Sequence, residues 1–338
     1  RFVGRVRDAD TYVDHVPDDR VMFAPSIRWQ PTPDTDIVLT GLYQEDDTGS
    51  TSQFLPIVGT FYPNAANPTG KLGQYTFVGK PGWDRYAGRL LQGGGSVTHK
   101  FSDNVKLSLK ARYIDSDLEY NTHYADSYSN PGDPFLPYAS YGTYGRTIGL
   151  YADSSDARMN VFSTDNNVQF NFNTGANIEH KLLVGIDYSW SKVGKRYAAT
   201  PGITYDADGN PNFDAIEKID LYNIDYDALR TYDPTGPFSK EVQKQLGVYV
   251  QDQIRFYDRV SVVLGARRDR VTGSSGQKDN ATTFRAGIIG EIGAGISPFF
   301  SYTESFLPVA GSTCGCRHCA QISFIMHCIG ELIDPSAR

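Results

Sequence analysis

The 338 residues predict an all-β fold, an antiparallel transmembrane β-barrel of which the chain holds a part. Three observations predict it. In Val105-Lys106-Leu107-Ser108-Leu109-Lys110-Ala111-Arg112-Tyr113 every odd position is apolar and every even one polar, so an extended strand there has one greasy face and one wet face. The links between such segments alternate between short, turn-like stretches and long irregular ones, the asymmetry of barrels that put tight turns on one side of a membrane and long loops on the other. No run of about 18 apolar residues exists, which excludes a membrane-spanning helix. The mean hydropathy of −0.40 does not exclude a membrane barrel, because alternating strands average to hydrophilic.

Composition agrees: Tyr 22, Phe 18 and Gly 33 favour strands and turns, and a net charge of −7 without a Lys/Arg cluster argues against nucleic acid as a partner. Residues 1–20 show no cationic start followed by an apolar core, so no signal peptide is read there. All four cysteines, Cys314, Cys316, Cys319 and Cys328, fall in the last 25 residues, and the preceding 313 contain none, which suits export through an oxidising compartment.

About eleven strands follow in order. The first runs to Arg7 and the second over 20–30, closed by PTPDTD at 31–36. The third, 37–46, sets Ile37, Leu39, Gly41 and Tyr43 against Val38, Thr40, Leu42 and Gln44. A long connection leads to 91–101, whose glycines 93–95 ease twist at a strand start, and FSDN at 101–104 turns the chain into 105–119. After a second long connection, 158–172 and 179–192 flank NTGAN, and Leu182, Val184, Ile186, Tyr188 and Trp190 share a face. A third leads to 243–257 and 260–271 around YDR, with Leu246, Val248, Val250, Ile254 and Phe256 on one face and Val260, Val262, Leu264 and Ala266 on the next. The last two, 282–290 and 296–306, are joined by EIGAG. Many run longer than the usual strand and are adequate to cross a bilayer at a tilt. Eleven is about half of the roughly 22 strands of a plugged outer-membrane barrel.

Gly247 to Val271 (GVYVQDQIRFYDRVSVVLGARRDRV) and the PFFSYTESFLP stretch from Pro298 resemble the barrel of TonB-dependent siderophore receptors of the ferrichrome and ferric hydroxamate type. Ala24 to Thr32 (APSIRWQPT), Leu55 to Asn64 (LPIVGTFYPN) and His180 to Tyr188 (HKLLVGIDY) are similar to further parts of that family. The resemblance covers 1–312 and implies a location in the cell outer membrane, barrel contact with outer-membrane lipid, a ferric siderophore as cargo, and coupling to the TonB complex through an N-terminal segment that, like the plug, is missing from these residues. Residues 313–338 match nothing in the family and are expected to be frameshifted or disordered; their CxCxxC with His318 gives only a weak zinc signal.

No nucleophile elbow, zincin motif, P-loop or dinucleotide fingerprint is present, so the chain is not read as an enzyme, and no cofactor is expected beyond iron carried inside its chelate. Tyrosine offers a flat apolar face and a hydrogen-bonding tip, which suits it to gripping such a chelate. The candidate ligand-binding residues are therefore Trp83, Tyr86, Tyr120, Tyr124, Tyr138, Tyr141, Tyr144, Tyr205 and Tyr222 in the long outer connections, with Tyr128, Tyr151, Tyr197, Tyr226 and Tyr232 in the same stretches. Girdle or loop packing is the competing role for any one of them. Lys106, Lys110, Arg112, Arg255 and Arg267 are expected to line the lumen, and Glu45-Asp46-Asp47 is a solvated strand tip with the makings of a weak Ca²⁺ site. A passive porin-like barrel and a soluble β-rich binding protein remain the alternatives; the latter requires the greasy faces to stack on one another in a dry interior.

Overall fold

A computed structural model describes residues 1–66, 71–136, 145–209, 211–274, 276–291, 296–308 and 321–327. The strands are β1 Phe2–Arg7, β2 Asp18–Thr32, β3 Thr35–Gly49, β4 Arg85–Ser102, β5 Val105–Ala125, β6 Thr147–Asn173, β7 Ile178–Ala199, β8 Thr204–Tyr205, β9 Pro211–Asn212, β10 Glu217–Asp220, β11 Glu241–Phe256, β12 Val260–Gly273, β13 Lys278–Gly290, β14 Phe299–Leu307 and β15 Gln321–His327. From β1 to β7 and from β11 to β15 each strand pairs with its sequence neighbour, and β7 pairs with β11, all antiparallel, in one unclosed sheet. β10 adds to the outer end of β6, while β8 and β9 form a small hairpin of their own. This is the antiparallel all-β partial barrel that the alternation predicts, and each expected strand is present.

Chain direction explains the loops. Consecutive antiparallel strands bring every second connection to the same end, so the β2–β3, β4–β5, β6–β7, β11–β12 and β13–β14 connections leave from one end, and the β1–β2, β3–β4, β5–β6, β7–β11 and β12–β13 connections from the other. The strands run further toward the long-loop end than apolar alternation predicts: β5 continues to Ala125 and β7 to Ala199. On β5 the outward series turns from Leu109 and Tyr113 to Asp115 and Asp117, which pair with Arg89. Backbone ladder bonds are indifferent to that change, so the sheet continues past the apolar band into water.

Register assigns the faces. Leu109 lies opposite Val97 and Asn166, Ile186 opposite Asn166 and Val248, and Val250 opposite Val184 and Ala266. Leu109, Ile186, Val248, Leu264 and Ile288 of this face are all more than a third exposed, with no second layer over them. A large apolar surface left open to water would be unstable, whereas hydrocarbon solvates it without loss. The opposite face carries Lys110, Arg112, Asp165, Asp187 and Arg267 and lines a hollow of about 970 Å³.

The buried apolar core lies instead among the long loops. Val78, Ala125, Phe135, Ile148, Leu150, Ile219, Leu221 and Leu229 form one cluster, and Val13, Val16 and Phe77 a second, with Tyr226 packed against both. Four connections and the strand ends thus fold into an outer cap with an interior of its own. Of 313–338, residues 321–327 form β15 beside β14. The remaining tail residues, with the four cysteines and His318, lie outside the described residues.

Candidate functional site

The wall of the hollow is built by two glycines. Gly185 lies opposite Tyr249, and a Cβ there would fall inside the tyrosine ring; at Gly247 a Cβ would collide with the Arg267 guanidinium and the Asp187 carboxylate. Without those atoms, Tyr249 and Arg267 lie flat along the sheet and reach partners strands away. Tyr249 Oη donates to Asp165 Oδ1 at 2.6 Å. Arg267 donates to both oxygens of Asp187, at 2.5 and 2.9 Å, and to both of Asp269, at 2.7 and 2.8 Å. Bidentate pairing fixes the guanidinium plane and satisfies the buried Asp269 and partly buried Asp187 carboxylates. Lys110 and Arg112 also line this hollow; Arg255 lies in a smaller one of about 260 Å³ nearer the short turns.

Above the hollow the same face turns aromatic. Tyr86 and Tyr120 lie opposite each other on β4 and β5, edge to face at 5.8 Å between centroids, and Ser52 Oγ is 3.3 Å from Tyr120 Oη. Higher still, Tyr124, Tyr128 and Tyr151 tile a wall with centroid separations of 5.8 to 6.5 Å and mutual tilts near 30°. Phe54 stands edge-on to Tyr124 and Tyr128, at 5.7 and 6.3 Å, from a backbone held at φ 45°. That left-handed conformation is costly for a phenylalanine and is sustained by its surroundings. Tyr124 Oη donates to Asp153 Oδ2 at 3.1 Å, and Tyr197 Oη donates to Oδ1 of the same carboxylate. Burial first, then the charge of Asp126, pushes the Tyr128 phenol above its ordinary value, so it stays neutral.

The cap is tied to this wall by a buried contact between His123 and Asp84. Beyond Asn121 the β5 edge loses β4, and its amides find other acceptors: His123 N donates to Asp84 Oδ2 at 2.5 Å and Ala125 N to the Gln53 carbonyl at 3.3 Å. The His123 ring puts Nδ1 2.6 Å from Asp84 Oδ1, and Nε2 donates to the Arg230 carbonyl at 3.1 Å. Both side chains are fully buried. Lys80 Nζ caps the carbonyls of Tyr226, Asp227 and Leu229 at 3.2, 3.4 and 2.8 Å. Connections 50–84 and 200–240 are thereby held to β5 and to each other.

The expected residues divide by position. Tyr86, Tyr120 and Tyr124 come together on the lumen face. Trp83 packs against the His123 ring at 4.7 Å and donates Nε1–H to Asp233 at 2.9 Å, inside the cap. Tyr222 packs against the larger cap core, accepts from Asn64 Nδ2 at 2.7 Å and lies under Arg146, 5.3 Å from its centroid. Tyr205 is placed in the β8–β9 hairpin. Tyr138, Tyr141 and Tyr144 lie outside the described residues. Asp46 pairs with Arg20 and Asp47 with Arg85, and among the described residues no group of three or more His, Cys, Asp or Glu could hold a metal ion. Sequence reasoning missed Asp153, Phe54, Asp84 and His123: isolated acids and a single histidine carry no pattern, and only register brings them to their partners.

The family model described as "TonB dependent receptor-like, beta-barrel" matches residues 28–313. The chain belongs to this family. It is 28% identical over 319 residues to the "Ferrioxamine B receptor" of Salmonella typhimurium strain SL1344, covering 92% of this chain and 41% of that protein. It is 29% identical over 329 residues to the "Ferrichrome outer membrane transporter/phage receptor" of Escherichia coli K12, covering 91% and 42%. Among solved structures, the closed form of the ferric-catecholate import receptor Fiu from E. coli K12 matches with a TM-score of 0.72 at 16% identity, over 93% of this chain and 48% of that one. The siderophore receptor PiuA from Acinetobacter baumannii matches with a TM-score of 0.65 at 20% identity, over 91% and 45%. These structural likenesses show the fold. The chain spans about two fifths of the curated relatives it matches.

Proposed function

We propose that this chain is a barrel segment of an outer-membrane receptor that imports a ferric siderophore, the iron entering as cargo already wrapped in its chelate. The observation that carries the reading is a single sheet whose apolar face is bare and whose polar, concave face is crowned by an aromatic wall. Lipid satisfies the first face, and the second offers flat apolar area with hydroxyl tips to a bulky chelate. Tyr86, Tyr120 and Tyr124 contact the ligand, while Trp83 and Tyr222 hold the cap that shapes the mouth above it. No bond is made or broken; binding supplies selectivity, and the TonB complex supplies the work of release. The relatives named as ferrioxamine and ferrichrome receptors support a hydroxamate-type chelate.

The test is uptake of radiolabelled ferric hydroxamate by iron-starved cells producing the complete receptor. Uptake is expected to require both the receptor and TonB. Combining Tyr86→Ala, Tyr120→Ala and Tyr124→Ala is expected to weaken binding at least about ten-fold with unchanged outer-membrane abundance. Uptake that persists without TonB, or binding unaltered by the triple substitution, overturns the reading.

A further inference from the structure

The hairpins β6–β7 and β11–β12 are closed by short turns at 174–177 and 257–259, which fix the alignment within each. Between the two hairpins the chain runs over 200–240, and a connection of that length leaves the alignment of β11 on β7 open. Apolar alternation does not supply it either. A one-residue slip would turn every side chain to the wrong face, but a shift of two leaves the same side chains on the lipid face. The His180–Asp252 contact resists such a shift in one direction only, since the other brings the two residues directly opposite.

The lumen face discriminates in both directions. Asp165 and Asp187 stand directly opposite each other on the first hairpin, and like charges so placed repel. Lys110, opposite Asp165 on β5, makes no ion pair with it among the described residues. Relief comes from the second hairpin. Tyr249 of β11 passes over Gly185 of β7 and donates to Asp165 on β6. Arg267 of β12 passes over Gly247 of β11 and donates to Asp187 on β7. A shift of two sets Tyr249 against Leu183 or Asp187, whose side chains fill the room that Gly185 leaves open. The same shift carries Arg267 away from Asp187, because the tight turn moves β11 and β12 together.

We infer that Gly185, Gly247, Tyr249 and Arg267 form a two-point key that selects the alignment of β11–β12 on β6–β7. One hairpin presents two carboxylates and a slot, the other presents two donors and a second slot, and a single alignment engages both. The polar network in the hollow therefore acts in assembly, and the chemistry of the cargo does not enter it.

Disulfide trapping tests this in the complete receptor, stripped of its other cysteines and recovered from outer membranes. Ile186→Cys is combined in turn with Val248→Cys, its directly opposite partner, and with Leu246→Cys or Val250→Cys, which come opposite it only after a shift of two. Cysteines on diagonal positions lie beyond the roughly 7 Å that a disulfide spans. The unsubstituted receptor is expected to trap the Val248 combination almost alone. With Asp165→Ser, Asp187→Ser, Tyr249→Ser and Arg267→Ser together, the yield of shifted relative to native pairs is expected to rise at least about ten-fold. Tyr249→Phe, which keeps the ring in its slot, is expected to stay within about two-fold of the unsubstituted ratio. An unchanged ratio in the fourfold variant, shifted pairs already abundant without it, or an equally large rise with Tyr249→Phe overturns the inference. Should the fourfold variant fail to reach the membrane, Asp187→Ser with Arg267→Ser is read in its place by the same rule.

Discussion

Removing the His123 ring should loosen the cap from both sides at once. The imidazole connects Asp84 at the end of one long connection with the Arg230 carbonyl of another, and the His123 and Asp84 side chains are both fully buried. His123→Ala leaves Asp84 with two amide donors, His123 N and Lys80 N, and a fully buried carboxyl that has lost its ring partner. It also opens a cavity beside Trp83. A buried polar group left without its partner, together with the cavity, costs about 3–5 kcal/mol. At about 1.4 kcal/mol per decade, hydrogen exchange in the affected region should accelerate by at least about a hundred-fold. Exchange mass spectrometry on the complete receptor should register this for peptides covering 76–84 and 226–233 together, because the ring holds both. Asp84→Ala should cost a similar amount, and the double substitution much less than the sum, since the second change removes the stranded partner. Acceleration in only one of the two regions, or additive costs, would refute the idea that one buried pair locks two loops.

Three further outcomes follow from the same geometry. Val248→Lys places a cation on the lipid face and is expected to lower stability in phospholipid vesicles by about 2–4 kcal/mol in urea titrations, whereas Gln251→Lys on the lumen face should leave it nearly unchanged. On the apolar face, His180 Nδ1 lies 2.7 Å from Asp252 Oδ2, and the other oxygen, Oδ1, is buried without a hydrogen bond. His180→Leu should therefore cost about 3 kcal/mol in the same titration, and adding Asp252→Leu should restore most of it. Burial first, then nearby carboxylates, holds the Tyr226 and Tyr232 phenols above their ordinary value of 10.0. A raised folded value means that the stabilisation is complete below pH 10.0 and is lost as pH climbs through the folded values, so cap protection should be flat from neutrality to about pH 10 and fall above it.

The membrane part of the fold was legible because one rule repeats along every strand. Leu109 and Lys110 differ in polarity because they face different solvents, and the same contrast recurs at Ile186 and Asp187 and at Val248 and Tyr249. What the alternation could not show is where the strands end. Past Tyr113 the outward positions of β5 turn acidic at Asp115, Asp117 and Glu119 while the lumen positions Ile114, Leu118 and Tyr120 turn apolar and aromatic, so the contrast inverts although the ladder runs on. The candidate site was partly legible. Abundant tyrosine in the outer connections pointed to Tyr86, Tyr120 and Tyr124, which the lumen face gathers, but composition cannot separate them from Trp83 and Tyr222, which serve the cap. Sidedness within a loop depends on contacts such as His123 with Arg230, 107 residues apart in the chain, and no local pattern encodes them.

The cap also constrains the order of assembly. Its interior joins Val13, Phe77 and Tyr226, segments that come into reach of one another only after the intervening strands have zipped together. Closing loops of that length early would cost entropy with nothing yet gained, so the water-facing interior is the last part of the molecule to consolidate. An antibody or protease that distinguishes a closed cap from an open one would thus report completed insertion, and a cell could recognise a stalled barrel by the greasy residues it still displays outside the lipid.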